Sequence, residues 1–219
     1  MIFGSAQNLF FLEAVIFASV IFMHLTRKSS SAIILYMVQS LVISVLLFWS
    51  AIEESSWLYM FVALAVLAVK VIIAPYFFHN LTKKNQLKFS ASTYLNEPLT
   101  LIVLAALTAF TYSDLFRPLT ILARQNEKAL LLAVATILVS VFLTINRRGA
   151  LSQMVGILSL ENAIVSFAFL AGLEANPGLQ LGIIFDILVW VIIATVFASM
   201  IYRQFGTLDV TSMEHLKED

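Results

Sequence analysis

The apolar positions of this chain fall into stretches separated by short polar breaks. Seven of those stretches have the length of a bilayer-crossing helix, about 20 predominantly apolar residues. They cover residues 5–26, 32–52, 57–80, 98–113, 128–146, 150–173 and 178–203. The first lacks a basic n-region and a small-residue cleavage site, and it is longer and more aromatic than a signal-peptide core, so it is expected to remain as a span. The fourth opens at Glu97-Pro98 like a helix start and closes at Tyr112-Ser113-Asp114 after about 16 residues, which leaves six spans plus a re-entrant piece as the alternative.

Composition supports a lipid solvent. Of 219 residues, 61% are hydrophobic and 12% charged, and the mean hydropathy is +0.95. An ordinary soluble domain is roughly half apolar and about a quarter charged, so this chain lacks the polar surface to cover a water-soluble core. The expected fold class is an all-α integral membrane protein of about seven transmembrane helices. A formal net charge of zero argues against a nucleic-acid or anionic-polymer partner. The absence of cysteine excludes disulfides, iron–sulfur clusters and thiolate zinc in this chain, and His24, His79 and His215 are scattered. Phenylalanine, 18 residues in all, suits surfaces that face lipid and implies no cofactor site.

Basic residues near span ends are retained on the cytoplasmic side. With seven spans one face collects Arg27, Lys28, Lys83, Lys84, Lys88, Arg147, Arg148, Arg203 and Lys217, whereas the other collects Arg117, Arg124 and Lys128 together with Glu53, Glu54, Asp114 and Glu174. The bias predicts an N-terminus outside and a C-terminus in the cytoplasm. The longest connections, 81–96 and 114–127, fall short of domain size, so any chemistry is expected within the membrane.

Basic pairs recur at two span boundaries, Thr26-Arg27-Lys28-Ser29 and Asn146-Arg147-Arg148-Gly149, 120 residues apart. Each precedes an apolar helix with polar residues in its middle, Gln39-Ser40 and Glu161-Asn162. A parallel repeat would divide the chain into an N-terminal three-helix unit (1–81), connecting loops with helix 4 (82–127), a C-terminal three-helix unit (128–204) and a cytoplasmic tail (205–219). The plainer explanation is that short cytoplasmic loops attract basic pairs anyway.

Glu13, Lys70, Glu161 and Asp186 lie inside the expected spans. A charge at mid-membrane costs on the order of 2.5–3.5 kcal/mol on insertion scales, so such residues face a partner helix or a wet cavity. Burial brings carboxylate and ammonium pKa values toward neutrality, the property a proton relay needs. The competing explanation is a structural ion pair, Lys70 with Glu161 or Asp186, that locks helices together. Gln39, Gln153 and Asn162 suit interhelical hydrogen bonding. Glu13, about two turns from its helix end, is placed within reach of the interface. Pro75 is expected to kink the third span just after Lys70. His24 and His79, near the cytoplasmic ends of their spans, are expected to snorkel or to pass protons to bulk water.

These residues resemble a particular family, the hydrogenase-4 component E type of membrane subunit, whose C-terminal half is similar to subunit K of the proton-pumping NADH:quinone oxidoreductase, complex I. The resemblance rests on Lys70-Val-Ile-Ile-Ala-Pro75, on Asn146-Arg147-Arg148-Gly149 with Gln153, Gly156 and Glu161-Asn162-Ala163, on Asp186, and on the tail Tyr202-Arg203-Gln204-Phe205-Gly206-Thr207-Leu208-Asp209-Val210. It implies a non-catalytic subunit of a group 4 membrane-bound nickel–iron hydrogenase, formate hydrogenlyase-type or a related assembly, in the prokaryotic inner membrane. The nickel–iron centre and iron–sulfur clusters would sit in partner chains. Its neighbours would be a membrane anchor subunit, antiporter-like subunits and the peripheral hydrogenase subunits. The resemblance assigns proton-relay roles to acids on two neighbouring helices, here Glu161 and Asp186; together with the in-span charges Lys70 and Glu13, and with Gln39, Gln153, Asn162 and His79 as supporting polar groups, these are the candidate residues for H⁺ or Na⁺ translocation. In subunit K the first glutamate would align with Leu158, whereas the acid here is Glu161, nearly one turn later, and Asp186 is likewise offset. A purely structural packing subunit and a free-standing small transporter are the alternatives.

Overall fold

Helix starts in this chain are written as short polar caps before apolar runs. The Ser5 hydroxyl accepts from the Asn8 amide, the Ser56 hydroxyl from the Tyr59 amide, and the Asn96 side chain from the Leu99 amide with Glu97 and Pro98 in the first turn. The computed structural model describes residues 5–84 and 93–173, and beyond them residues 182, 185, 188, 192, 195, 196, 199, 200, 202 and 203. The elements are α1 (Ala6–Leu25), α2 (Ser29–Glu53), α3 (Trp57–Val66) running through a π-helical segment (Leu67–Ile73) into α4 (Ala74–Lys84), α5 (Glu97–Thr111), a 3₁₀ segment (Arg117–Ala123), α6 (Glu127–Asn146) and α7 (Ala150–Leu170). Among the described residues five helices are long and apolar enough to cross a membrane: α1, α2, the α3–α4 rod, α6 and α7. The protein is therefore a helical membrane protein. Most of the span expected over 178–203, Asp186 included, lies outside the described residues.

Two levels of side-chain contact set the directions of the helices. Near the start of α1 the Glu13 carboxylate meets Thr136 of α6, and at its end the Met23 carbonyl meets Arg147, which follows α6. Both numbers rise together, so α1 and α6 run the same way. The same reasoning makes α2 and α7 codirectional, since they start beside each other and touch again at Ser40 and Asn162. α5 starts at the Arg147 end, where the Leu95 amide donates to Asn146 Oδ1 at 3.0 Å and Asn146 Nδ2 donates to Thr100 Oγ1 at 3.3 Å. α5 with the 3₁₀ segment thus carries the chain back to the start of α6. Its 15 residues extend about 22 Å at 1.5 Å per residue, less than a hydrocarbon core of about 30 Å.

α6 and α7 form the tightest helix pair. Ser140 and Thr144, one turn apart on α6, face Ser159 and Gly156 on α7. A Cβ at Gly156 would lie 2.7 Å from Thr144 Oγ1 and 3.1 Å from the Thr144 backbone, so only glycine lets the backbones approach this closely. Both halves of the chain feed one core, which joins Ile16, Tyr36, Ile43, Val66, Leu104, Val139 and Leu158.

The expected kink at Pro75 takes another form. Pro75 has no amide hydrogen to donate, and just upstream the rod adopts the wider π turn, with the Ala74 amide bonded to the Val69 carbonyl. Lys70 lies inside that wide turn.

Arg147 is also more than a marker of orientation. It is 3% exposed, and its guanidinium donates to the carbonyls of Met23, His24 and Thr26, closing the end of α1. Burial lowers its pKa to about 10, still far above neutral, so the charge that caps α1 is held. Its neighbour Arg148 lies over the Tyr94 ring at 4.7 Å. Replacing Arg147 by Met orphans the α1 carbonyls and is expected to cost about 1.5–3 kcal/mol, whereas Arg148→Met should cost about 1 kcal/mol or less. Thermal unfolding midpoints of the two variants in detergent check this order.

Candidate functional site

The π-helical segment turns Lys70 fully inward, where it is 1% exposed. Its ammonium donates to Asn162 Oδ1 at 2.9 Å and lies 3.2 Å from Glu161 Oε1. Asn162 in turn donates through Nδ2 to the Ser40 hydroxyl at 3.0 Å, and Tyr36 of α2 stands beside Ser40 and Glu161. Adjacent Gln39 donates to the Ile16 carbonyl at 3.1 Å, tying α2 to α1. A lone ammonium at this depth would be costly, and the structure compensates it with one carboxylate and one amide oxygen.

Glu161 differs from its partner in keeping an open side. Its side chain is 20% exposed, and Ile157 and Ile164, which share its stripe of α7, are exposed. The acid therefore stands at the edge between the bundle interior and the outer face of α7.

Glu13, placed by sequence within reach of the interface, is instead 1% exposed. α1 presents it to α6 and α7, where Thr136 donates to Oε1 at 2.8 Å and Ser166 donates to Oε2. Among the described residues no cation lies within ion-pair distance, so hydroxyls alone compensate this carboxyl. Ser166 is one helical turn beyond Asn162 on α7, about 6 Å along the axis. One turn in the other direction, Ser159 meets Ser140 of α6 at 3.3 Å. α7 thus carries a buried polar stripe through Ser159, Asn162 and Ser166 that joins the Lys70 pair to the Glu13 carboxyl.

The remaining candidates lie elsewhere. Gln153 is half-buried and donates to the Arg147 carbonyl at 2.8 Å, bracing the turn between α6 and α7. His79 is exposed on α4. His24 neither snorkels nor reaches water: it is 4% exposed, Nε2 is 3.1 Å from the Val139 carbonyl, and the ring stacks on Phe142 with centroids 5.1 Å apart. Asp186 lies outside the described residues. Among the described residues no group of three His, Asp or Glu side chains converges as metal ligands would.

The sequence pattern drew attention to Ser40 only as a polar residue in mid-helix, and to none of the hydroxyls of Thr136, Ser140 and Ser166. The signal of those three was the recurrence of Ser and Thr at one-turn intervals on α6 and α7. Chemically, the arrangement offers two ionisable centres, each hydrogen-bonded to groups that can donate and accept, set about one helical turn apart along α7.

Breaking the pair tests its role in stability. Lys70→Met alone removes the ammonium that compensates the Glu161 carboxylate and is expected to destabilise by about 3–5 kcal/mol, whereas Lys70→Met with Glu161→Leu should recover most of that loss. Unfolding in detergent measures both variants.

Comparison with known proteins adds one distant relative. The uncharacterized protein Rv0085 of Mycobacterium tuberculosis is 26% identical over 158 residues, which cover 72% of this chain and 72% of that protein. No family model matches the chain, and no solved structure matches it.

Proposed function

We propose that the chain is a non-catalytic, ion-translocating membrane subunit of a larger redox-driven assembly, a complex I-like nickel–iron hydrogenase of the formate hydrogenlyase type being the best fit. The observation that carries this reading is the Lys70–Glu161 pair, 3.2 Å apart, linked along one helix to a second buried acid. A static packing role needs the ion pair alone. A relay needs a second titratable centre within reach and polar groups between, and Glu13 with Ser166, Thr136 and Asn162 supplies both. The open side of Glu161 suits lateral transfer to a neighbouring subunit, with Asp186 as a further member of the chain. Nickel and iron–sulfur chemistry belongs to partner chains in this proposal, since a chain without cysteine supplies no thiolate ligands.

The proposal includes seven spans, with α5 as a short fourth and the stretch 178–203 as the last, and an N-terminus outside the prokaryotic inner membrane. It also includes a parallel repeat. Ser40 and Asn162 touch at a separation of 122 residues and Glu13 and Thr136 at 123, close to the 120 between the basic pairs. Contacts between equivalent positions of codirectional helices are what a two-fold axis along the membrane normal produces.

Glu161→Gln in native membranes separates relay from packing. The expected result is an intact assembly by co-purification and unimpaired electron transfer, with loss of the transmembrane gradient that transfer generates. Disassembly of the complex would instead identify the pair as structural.

A further inference from the structure

At the end where α1 and α6 begin, a polar cleft of about 520 Å³ opens between the helix ends and the 3₁₀ segment. Its walls include Glu53, Arg124, Gln125 and Asn126, and its floor includes Leu9 and Leu170. Those two leucines also belong to a small apolar cluster separate from the main core, formed by Ala123, Ala129, Leu130, Ala133 and Leu170 with Leu9 packed against it. The numbering places Glu13 directly behind this cluster. Leu9 is four residues before Glu13 on α1, Leu170 is four after Ser166 on α7, and Ala133 is three before Thr136 on α6. Each of the three groups that make the Glu13 site therefore lies close to one turn, about 4.5–6 Å, deeper than a residue of the apolar cluster.

We propose that this cleft is the aqueous mouth through which the Glu13 carboxyl exchanges protons with that side of the membrane, across an apolar layer one helical turn thick. The inference rests on the relay reading and adds to it a side of access. The cleft is wide and lined by charged and amide side chains, so water fills it. The layer beneath is thin because Ala123, Ala129 and Ala133 contribute little bulk. It is dry because the side chains meeting there are apolar, so the acid stays sealed at rest. Toward the opposite end, no such approach exists for Glu13 among the described residues: Ile16, Val20 and Met23 follow it inward along α1, all 0–1% exposed. The proton moves between the carboxyl and water of the cleft, with no change of covalent or redox state beyond that transfer.

The absence of cysteine makes every introduced thiol unique within this chain, whose labelling is read on the purified subunit. In the full-length protein in sealed native vesicles of known sidedness, a membrane-impermeant methanethiosulfonate reagent should label Gln125→Cys from the cleft side. Ser166→Cys should be protected in the otherwise unchanged protein. In the Leu170→Ser or Leu9→Ala background its labelling should rise roughly tenfold or more from that side alone, because loss of a leucine's apolar burial admits water to the layer. Thr136→Cys on α6 is the second reporter should Ser166→Cys fold poorly. An unchanged rate at both buried positions, or a rise only from the opposite side, overturns the proposal. Labelling as expected while Glu13→Gln leaves redox-driven gradient formation intact would keep the mouth and refute the relay.

Discussion

An ammonium group in hydrocarbon must be compensated from within the protein, and much of this bundle follows from compensating Lys70. The π-helical segment directs it inward, α7 brings a carboxylate and an amide oxygen to it, and α2 brings the hydroxyl that holds the amide in place. Three helices are committed to one charge. A neutral side chain at position 70 would free all three to pack otherwise, whereas the charge permits few registers, because an unpaired ion costs far more than a misplaced methyl group.

The codirectional placement of α1 with α6 and of α2 with α7 turns that local demand into a path. Helices running the same way present equivalent depths to one another, so polar residues near the middle of each meet polar residues near the middle of the next. Ser40 reaches Asn162, Glu13 reaches Thr136, and one turn of α7 spans the gap between the two sites. The close α6–α7 approach at Gly156 draws the hydroxyls of Ser140 and Ser159 within contact as well. Arg147 fixes the vertical register of the arrangement by binding the last carbonyls of α1 from the turn that follows α6.

The two ends of the bundle are built differently. The end that carries Arg27, Arg147 and Arg148 is closed by hydrogen bonds, the Arg27–Glu97 ion pair at 2.6 Å, and the segment at 93–96 laid against the α6–α7 turn. At the opposite end a seven-residue 3₁₀ segment joins α5 to α6, and a polar cleft opens beside it. In the proposed relay that asymmetry has a physical reason, because exchange with a single side requires the other to be sealed.

Hydropathy located the five helices long and apolar enough to cross a membrane, because in lipid every backbone amide must bond within its own helix and the length of an apolar run then measures the crossing. It also singled out Lys70 and Glu161, since a charge in such a run is rare enough to stand out. The α5 start was legible in Glu97 and Pro98, and the structure adds Asn96 as the side-chain cap. Three things were decided only by tertiary structure. Glu13 is buried rather than interfacial because α6 and α7 cover its side of α1, and nothing within α1 records which side is covered. The rod at Lys70 widens into a π turn instead of merely bending at Pro75, because the choice depends on what the displaced lysine finds opposite it. Arg147 belongs to α1 as much as to α6, because the carbonyls it caps are more than 120 residues away in the chain. Local sequence carries helix length and charge, whereas partnership between helices is a property of their packing.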